Sequence, residues 1–352
     1  MTTNQYIRYA DSIEVKQPDE DQLIDNIVAS MARVNRQTFD KHRHATRDAH
    51  VKSHGILKGV LSVYSDLPDP LRQGLFSAPK DYPVVVRFSS APGDFHADEI
   101  RAPKGMAIKV IGVTQDLLLV NLPVIAFGHA AAYWDIQQKV EKHADDPEII
   151  QRLTAEAANK LSGALGLVGR QSPILEGLGA SNHHILGETF YSMAALRYGD
   201  YVAKICAAPL SESVRQLTGK VVETKGHPSV FRDLIVDFFK SGSAEYELRA
   251  QLCTDLHQMP VEDASVEWPE SLSPYQPVAK LTFAPQDAYS PARRVYADDV
   301  ISFNPWRCLP EHRPLGSIMR ARIKAYEEST RFRHEMNVQP RVEPQDITEV
   351  PD

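Results

Sequence analysis

A chain of 352 residues is long enough for one large domain or two smaller ones, and 43% hydrophobic with 24% charged residues is the make-up of a globular protein with a sizeable core. A formal net charge of −7 without a long basic run argues against nucleic acid or an anionic membrane as the main partner. Cys206, Cys253 and Cys308 lack CxxC or metal-site spacing, the amino terminus lacks a charged-then-apolar leader, and no apolar run reaches spanning length, so a cytoplasmic protein without disulfides or a membrane span is expected.

Residues 1–17 read as a polar arm. From Pro18 the acidic start Asp19-Glu20-Asp21 leads into Leu23, Ile24, Ile27, Val28, Met31 and Val34, the spacing of an amphipathic helix with carboxylates in its first turn. A histidine-rich stretch follows, with His42, His44, His50 and His54. Its readings are a metal cluster, a polar loop, or an acid–base histidine in a pocket. If the chain is extended from Val51, the even spacing of His50 and His54 puts them on one side of a sheet.

Residues 56–66 and 82–90 predict strands, joined through a turn and a short helix at 67–76. After Ala91-Pro-Gly-Asp94, residues 100–112 give a turn and a strand. The apolar run Leu117–Pro123 carries one amide, Asn121, which is either a strand-end cap or a pocket group. Helical composition marks 133–180 as an excursion from the sheet. Strands are expected at 187–192, 200–208, 245–254 and 275–283, with a helix over Ser229–Lys240 and a Pro-rich extended segment over 299–316.

The stretch Met319–Arg333 holds no Gly or Pro and is rich in Arg, Lys, Glu and Ala, so it predicts a helix. Arg322, Tyr326 and Arg333 share one of its faces. A guanidinium four residues from a phenol is expected to lower the phenol's pKa. Taken alone, this stretch reads as a charged surface helix with one amphipathic Tyr packed against the body.

Four strings, in order, resemble the catalase superfamily: Arg47-x-x-His50, Val86-Arg87-Phe88-Ser89 followed by Ala-Pro-Gly-Asp, His96-Ala-Asp-Glu-Ile-Arg101-Ala-Pro-Lys-Gly105-Met-Ala-Ile-Lys, and Asn121-x-Pro123. Trp268-Pro269 before Pro277-Val-Ala-Lys-Leu, and Arg322-x-x-x-Tyr326 with Arg333, extend the resemblance. It implies an α+β fold: a catalase-like antiparallel β-barrel with helices packed around it and a proximal haem-ligand helix near the C-terminus. It implies one domain over 1–352, with an arm and helix at 1–40, barrel at 41–132 and 183–300, a helical insert at 133–182, and the extended segment and proximal helix at 301–352.

The resemblance also implies haem b, with Tyr326 as iron ligand, Arg322 keeping it a phenolate, and Arg47, Arg87 and Arg333 facing the propionates. On the distal side it implies His50 as acid–base residue, Asn121 as its partner amide and Ser89 as its support, with His54 as a rival to His50. The implied activity is haem-dependent breakdown of hydrogen peroxide or organic hydroperoxides. A lipid-hydroperoxide dehydratase or isomerase and a non-catalytic haem-binding protein are the alternatives, and homo-oligomerisation stays open. Departures from the catalase pattern include a shorter chain, Ile125-Ala126 where an aromatic pair is common, and Lys204-Ile-Cys206 in place of K-F-H.

Overall fold

The computed structural model describes residues 6–91, 93–143 and 182–352. Its strands are β1 (Lys52–Val63), β2 (Asp81–Ser90), β3 (Lys104–Val110), β4 (Gln115–Val120), β5 (Phe190–Tyr191), β6 (Leu196–Tyr198), β7 (Tyr201–Pro209), β8 (Ala244–Leu252) and β9 (Gln276–Phe283). All neighbours pair antiparallel in the order β5-β4-β3-β2-β1-β9-β8-β7-β6. β5 also pairs with β7, which closes eight strands into a barrel and leaves β6 as an extra hairpin arm on β7.

Alternation along the strands decides what faces where. On β2, Val84, Val86 and Phe88 point into the barrel core with Met106, Ile108, Phe190, Tyr246 and Leu281. The intervening Val85 belongs to a separate apolar cluster with Ile56, Ile301 and Phe303, so the outer face of β2 is covered as well. Arg87 and Ser89 share that outer parity.

The helices are α1 (Glu20–His42), α2 (Ala130–Lys142), α3 (Glu212–Arg215), α4 (Val230–Phe239), α5 (Pro291–Val295) and α6 (Ser317–Met336). α1, α2 and α6 pack on one another. Arg320 on α6 ties this group together: its guanidinium donates to Glu20 at 2.6 Å, Glu14 at 2.7 Å and Glu262 at 2.8 Å. Glu20 is almost fully buried, so its charge is tolerable only in such a fork.

The segment expected to be extended over 299–316 instead begins inside a π-helical turn, Tyr296–Val300, and contains a 3₁₀ turn at Pro310–His312. That wide turn leaves backbone carbonyls free, and arginines from other elements take them up, as described below. β6 was not expected from sequence. Of the helices expected in 133–180, the part up to Lys142 is α2, and residues 144–181 lie outside the described residues. No described helix is long and apolar enough to cross a membrane.

Candidate functional site

Two cross-strand rows on the outer face of the barrel floor the site. Arg87 on β2 stands opposite Ala107 on β3, which stands opposite Leu118 on β4; one pair along, Ser89 faces Gly105, which faces Val120. All six side the same cavity of about 70 Å³, closed over by Phe303 and by Arg322, Tyr326 and Arg333 of α6. A second cavity of about 230 Å³ runs between α1 and α2 and shares Asp48, Ala49, His50, Val120, Met193, Arg322 and Tyr326 with the first.

His50 enters from the connection between α1 and β1, with a positive φ of 53°. A non-glycine residue in that left-handed region is costly and is held by its surroundings. Its Nδ1 lies 3.3 Å from Ser89 Oγ, and its carbonyl accepts from Arg87 Nη1 at 2.9 Å. Gly105 makes room for the ring. Burial, then Arg87 and Arg322, push the imidazole down to about 3, so it is neutral across the physiological range. Its Nε2 has no hydrogen-bond partner among the described residues.

Three arginines converge beside it on the turn at 297–302. Arg47 donates to the carbonyls of Ala297 at 2.6 Å, Ile301 at 2.8 Å and Asp298 at 2.9 Å. Arg333 donates to the carbonyls of Asp299 at 2.7 Å and Asp298 at 2.9 Å, and to Ser302 Oγ at 2.7 Å. Arg87 reaches the Asp298 carboxylate at 3.0 Å. Burial and mutual repulsion lower Arg47 well below the usual guanidinium range, and burial brings Arg333 to about 10. Asp298 and Asp299 offset part of this repulsion.

On α6 the Arg322 guanidinium carbon lies 5.4 Å from the centre of the Tyr326 ring. The Tyr326 hydroxyl has no hydrogen-bond partner among the described residues, and the ring lines both cavities. The sequence expectation that Arg322 gives a lowered phenol pKa needs correcting. Arg322 does pull downward, but removal from water outweighs it and the phenol is raised.

His54 is separated from this site. β1 begins only at Lys52, and its pairing with β2 shifts register between Ser53 and Gly55. The expected shared face of His50 and His54 is lost at that bulge. His54 is fully buried, 3.0 Å from Ser90 Oγ and edge-on to Phe231, on the barrel-core side, and lines neither cavity. Adjacent serines thus serve opposite faces: Ser89 meets His50 and Ser90 meets His54. The metal-cluster reading of the histidine stretch is not met, because His42 pairs with Asp94 and His44 with Asp299. Among the described residues no group of three or more His, Cys, Asp or Glu could hold a metal ion.

Asn121 lies one residue past β4 and is not in the wall of either cavity, although Val120 and Leu122 are. Its Oδ1 accepts from the Lys104 amide at 2.8 Å while its own amide donates to the Lys104 carbonyl at 2.9 Å, a strand-end cap. Sequence reasoning missed Asp48, Ser329, Thr330, Met193 and Tyr133 in the walls. Asp48 could have been noticed as a carboxylate inside Arg47-x-x-His50; burial raises its pKa while Ser329 and Arg322 oppose the rise. Ile125 and Ala126 do line the larger cavity, and aromatic surface there comes from Phe127 and Tyr133, whose ring centres are 5.1 Å apart.

The sequence model of the catalase family matches residues 11–153. No curated protein matches the sequence. Among solved structures the chain is similar to a fungal catalase, at 17% identity and a TM-score of 0.62, over 84% of this chain and 60% of that one. It is similar also to catalase A from Saccharomyces cerevisiae, at 16% identity and a TM-score of 0.64, over 85% of this chain and 64% of that one. The chain therefore spans less than two thirds of the length of these catalases, and at such identity the likeness is one of fold. The catalase model thus matches the amino-terminal part of the chain, and the barrel as a whole has the catalase fold.

Proposed function

We propose that the chain is a haem b oxidoreductase that processes hydroperoxides, with Tyr326 as iron ligand and His50 as the acid–base residue. One observation carries the reading: a phenol and a neutral imidazole nitrogen, neither with a hydrogen-bond partner among the described residues, line the same cavity beside clustered guanidiniums. The donor set fits haem. Two propionate carboxylates would add partners for Arg47, Arg87 and Arg333 beyond Asp298 and Asp299. Arg322 would stabilise the Tyr326 phenolate once a cation binds its oxygen. The bound group would supply the electrophilic, redox-active centre.

The chain's own residues prepare the proton chemistry. His50 is neutral, so Nε2 can accept a proton from a hydroperoxide and return it to the leaving oxygen. Ser89 at Nδ1 fixes the ring.

The test is haem titration of the purified chain, followed by an oxygen-electrode trace with hydrogen peroxide and product analysis with a lipid hydroperoxide. Stoichiometric haem uptake with a tyrosinate-type spectrum and peroxide breakdown well above that of free haem is expected. A rearranged lipid product without oxygen release would favour the dehydratase reading, and a chain that takes up no haem would sink both.

A further inference from the structure

On the far side of Asp298 from the guanidinium cluster lies a separate pocket of about 170 Å³, formed where the start of β1 meets α4 and α5. We propose that it binds a small phosphate-bearing anion. Its walls include Lys52, Ser53, Arg232, Tyr289, Arg294 and Asp298.

The charges in these walls are unevenly spent. Lys52 Nζ is 2.6 Å from the buried Asp98 and is neutralised there. Asp298 receives Arg87 at 3.0 Å from the other side, so its charge is already answered. Among the described residues Arg232 has one carboxylate partner, its chain neighbour Asp233 at 3.2 Å, on the solvent side, a pairing that contributes little. The Arg232 guanidinium instead rests over the Tyr289 ring at 5.6 Å, which fixes its position. The Arg294 guanidinium has no partner among the described residues. Among the described residues Arg294 therefore edges the pocket with its guanidinium donors unspent, and Arg232 with Nη1 uncommitted.

The hydroxyls are already committed. Ser53 Oγ donates to Asp298 Oδ2 at 2.8 Å and lies 3.2 Å from the Tyr289 hydroxyl. With the serine proton committed to Asp298, the phenol donates to Ser53 Oγ, and the guanidiniums are the donors left for an occupant. Two guanidiniums at one pocket edge ask for an occupant with several acceptor oxygens and more than one negative charge, which a phosphate group has and a single carboxylate does not. An anion here would sit against the same carboxylate that Arg87 engages in the other cavity, but its binding does not depend on haem.

Isothermal titration of the full-length, haem-free chain with inorganic pyrophosphate tests the proposal, with potassium chloride at matched ionic strength as control. Saturable binding is expected, weakened by about tenfold or more in an Arg232→Ala/Arg294→Ala double variant. Both side chains lie at the pocket edge away from the core, and circular dichroism of the variant checks that the barrel is intact. Equal affinity in a folded double variant, heat reproduced by potassium chloride, or no binding by the wild-type chain at millimolar pyrophosphate would each overturn the assignment. Acetate binding as tightly as pyrophosphate would remove phosphate as the ligand class.

Discussion

A Cβ on Gly105 would stand 2.7 Å from Nδ1 of His50 and 3.1 Å from Ser89 Oγ. The imidazole therefore occupies the space that any other residue at this point of β3 would fill. Gly105→Ala should displace the ring and separate it from Ser89. The expected cost is about 1–3 kcal/mol in urea unfolding of the haem-free protein, typical of overpacking. Haem uptake should be retained while peroxide turnover falls at least about tenfold, because a small misplacement of an acid–base group costs that much or more. Full turnover in Gly105→Ala would show that His50 does not need this position.

Tyr326→Phe separates the two roles of the phenol. Its hydroxyl holds no group among the described residues, so the haem-free variant should unfold within about 1 kcal/mol of wild type. Haem affinity and the tyrosinate-type absorbance should both be lost. Wild-type affinity and spectrum in the variant would refute the ligand assignment.

The barrel was legible because alternation and turn residues are local signals. β2, β3 and β4 could be placed from Tyr82–Ser90, Ile100–Gly112 and Leu117–Pro123 to within a few residues of where they stand. Closure through β5 and β7 was not legible, since β5 is only Phe190–Tyr191 and carries no period of its own. In the site, Arg87 and Ser89 were readable as one face of a strand, and Arg322, Tyr326 and Arg333 as one face of a helix. The segregation of His50 from His54 was not, because it depends on a register shift set by pairing with a distant strand. Asp298 was invisible for a related reason: its importance comes from arginines donated by the α1–β1 connection, β2 and α6, which sequence spacing does not relate.

Asp298→Asn removes the one carboxylate bonded to Arg87 and within 3.6 Å of Arg47. Leaving buried guanidiniums without it should cost about 3 kcal/mol or more in the haem-free protein. Under the haem reading, saturating haem should recover part of that loss, since propionates bring new carboxylates to the same cluster. Urea unfolding with and without haem measures both. A variant as stable as wild type would mean that the backbone carbonyls of 297–301 suffice to hold the arginines.

His50→Ala and His54→Ala should have opposite signatures. His54 lies in the core side of the bulge with Nδ1 buried and unpartnered, so truncating it acts on packing: stability falls while peroxide turnover per bound haem stays. His50→Ala should leave stability nearly unchanged and remove most of the turnover. The reverse pattern would transfer the acid–base role to His54.

The depressed imidazole of His50 also sets an acid limit on stability. In the unfolded chain a histidine titrates near 6.5, whereas burial, with Arg87 and Arg322, holds His50 at about 3 in the fold. Above pH ~6.5 both states carry it neutral and it contributes no slope. Between those values the unfolded chain binds a proton that the folded chain refuses, so unfolding free energy falls as pH falls, by about 1.4 kcal/mol per pH unit for each such group. His184 and His312, both held at about 4 by burial, act with the same sign, and the raised Asp48 acts against them. Urea unfolding of the haem-free wild type between pH 7 and 4 should therefore show falling stability, and His50→Gln should show a shallower fall by about one proton over the same window. Parallel curves would mean that His50 titrates in the fold as it does in the unfolded chain, so that burial does not keep it neutral below pH ~6.5.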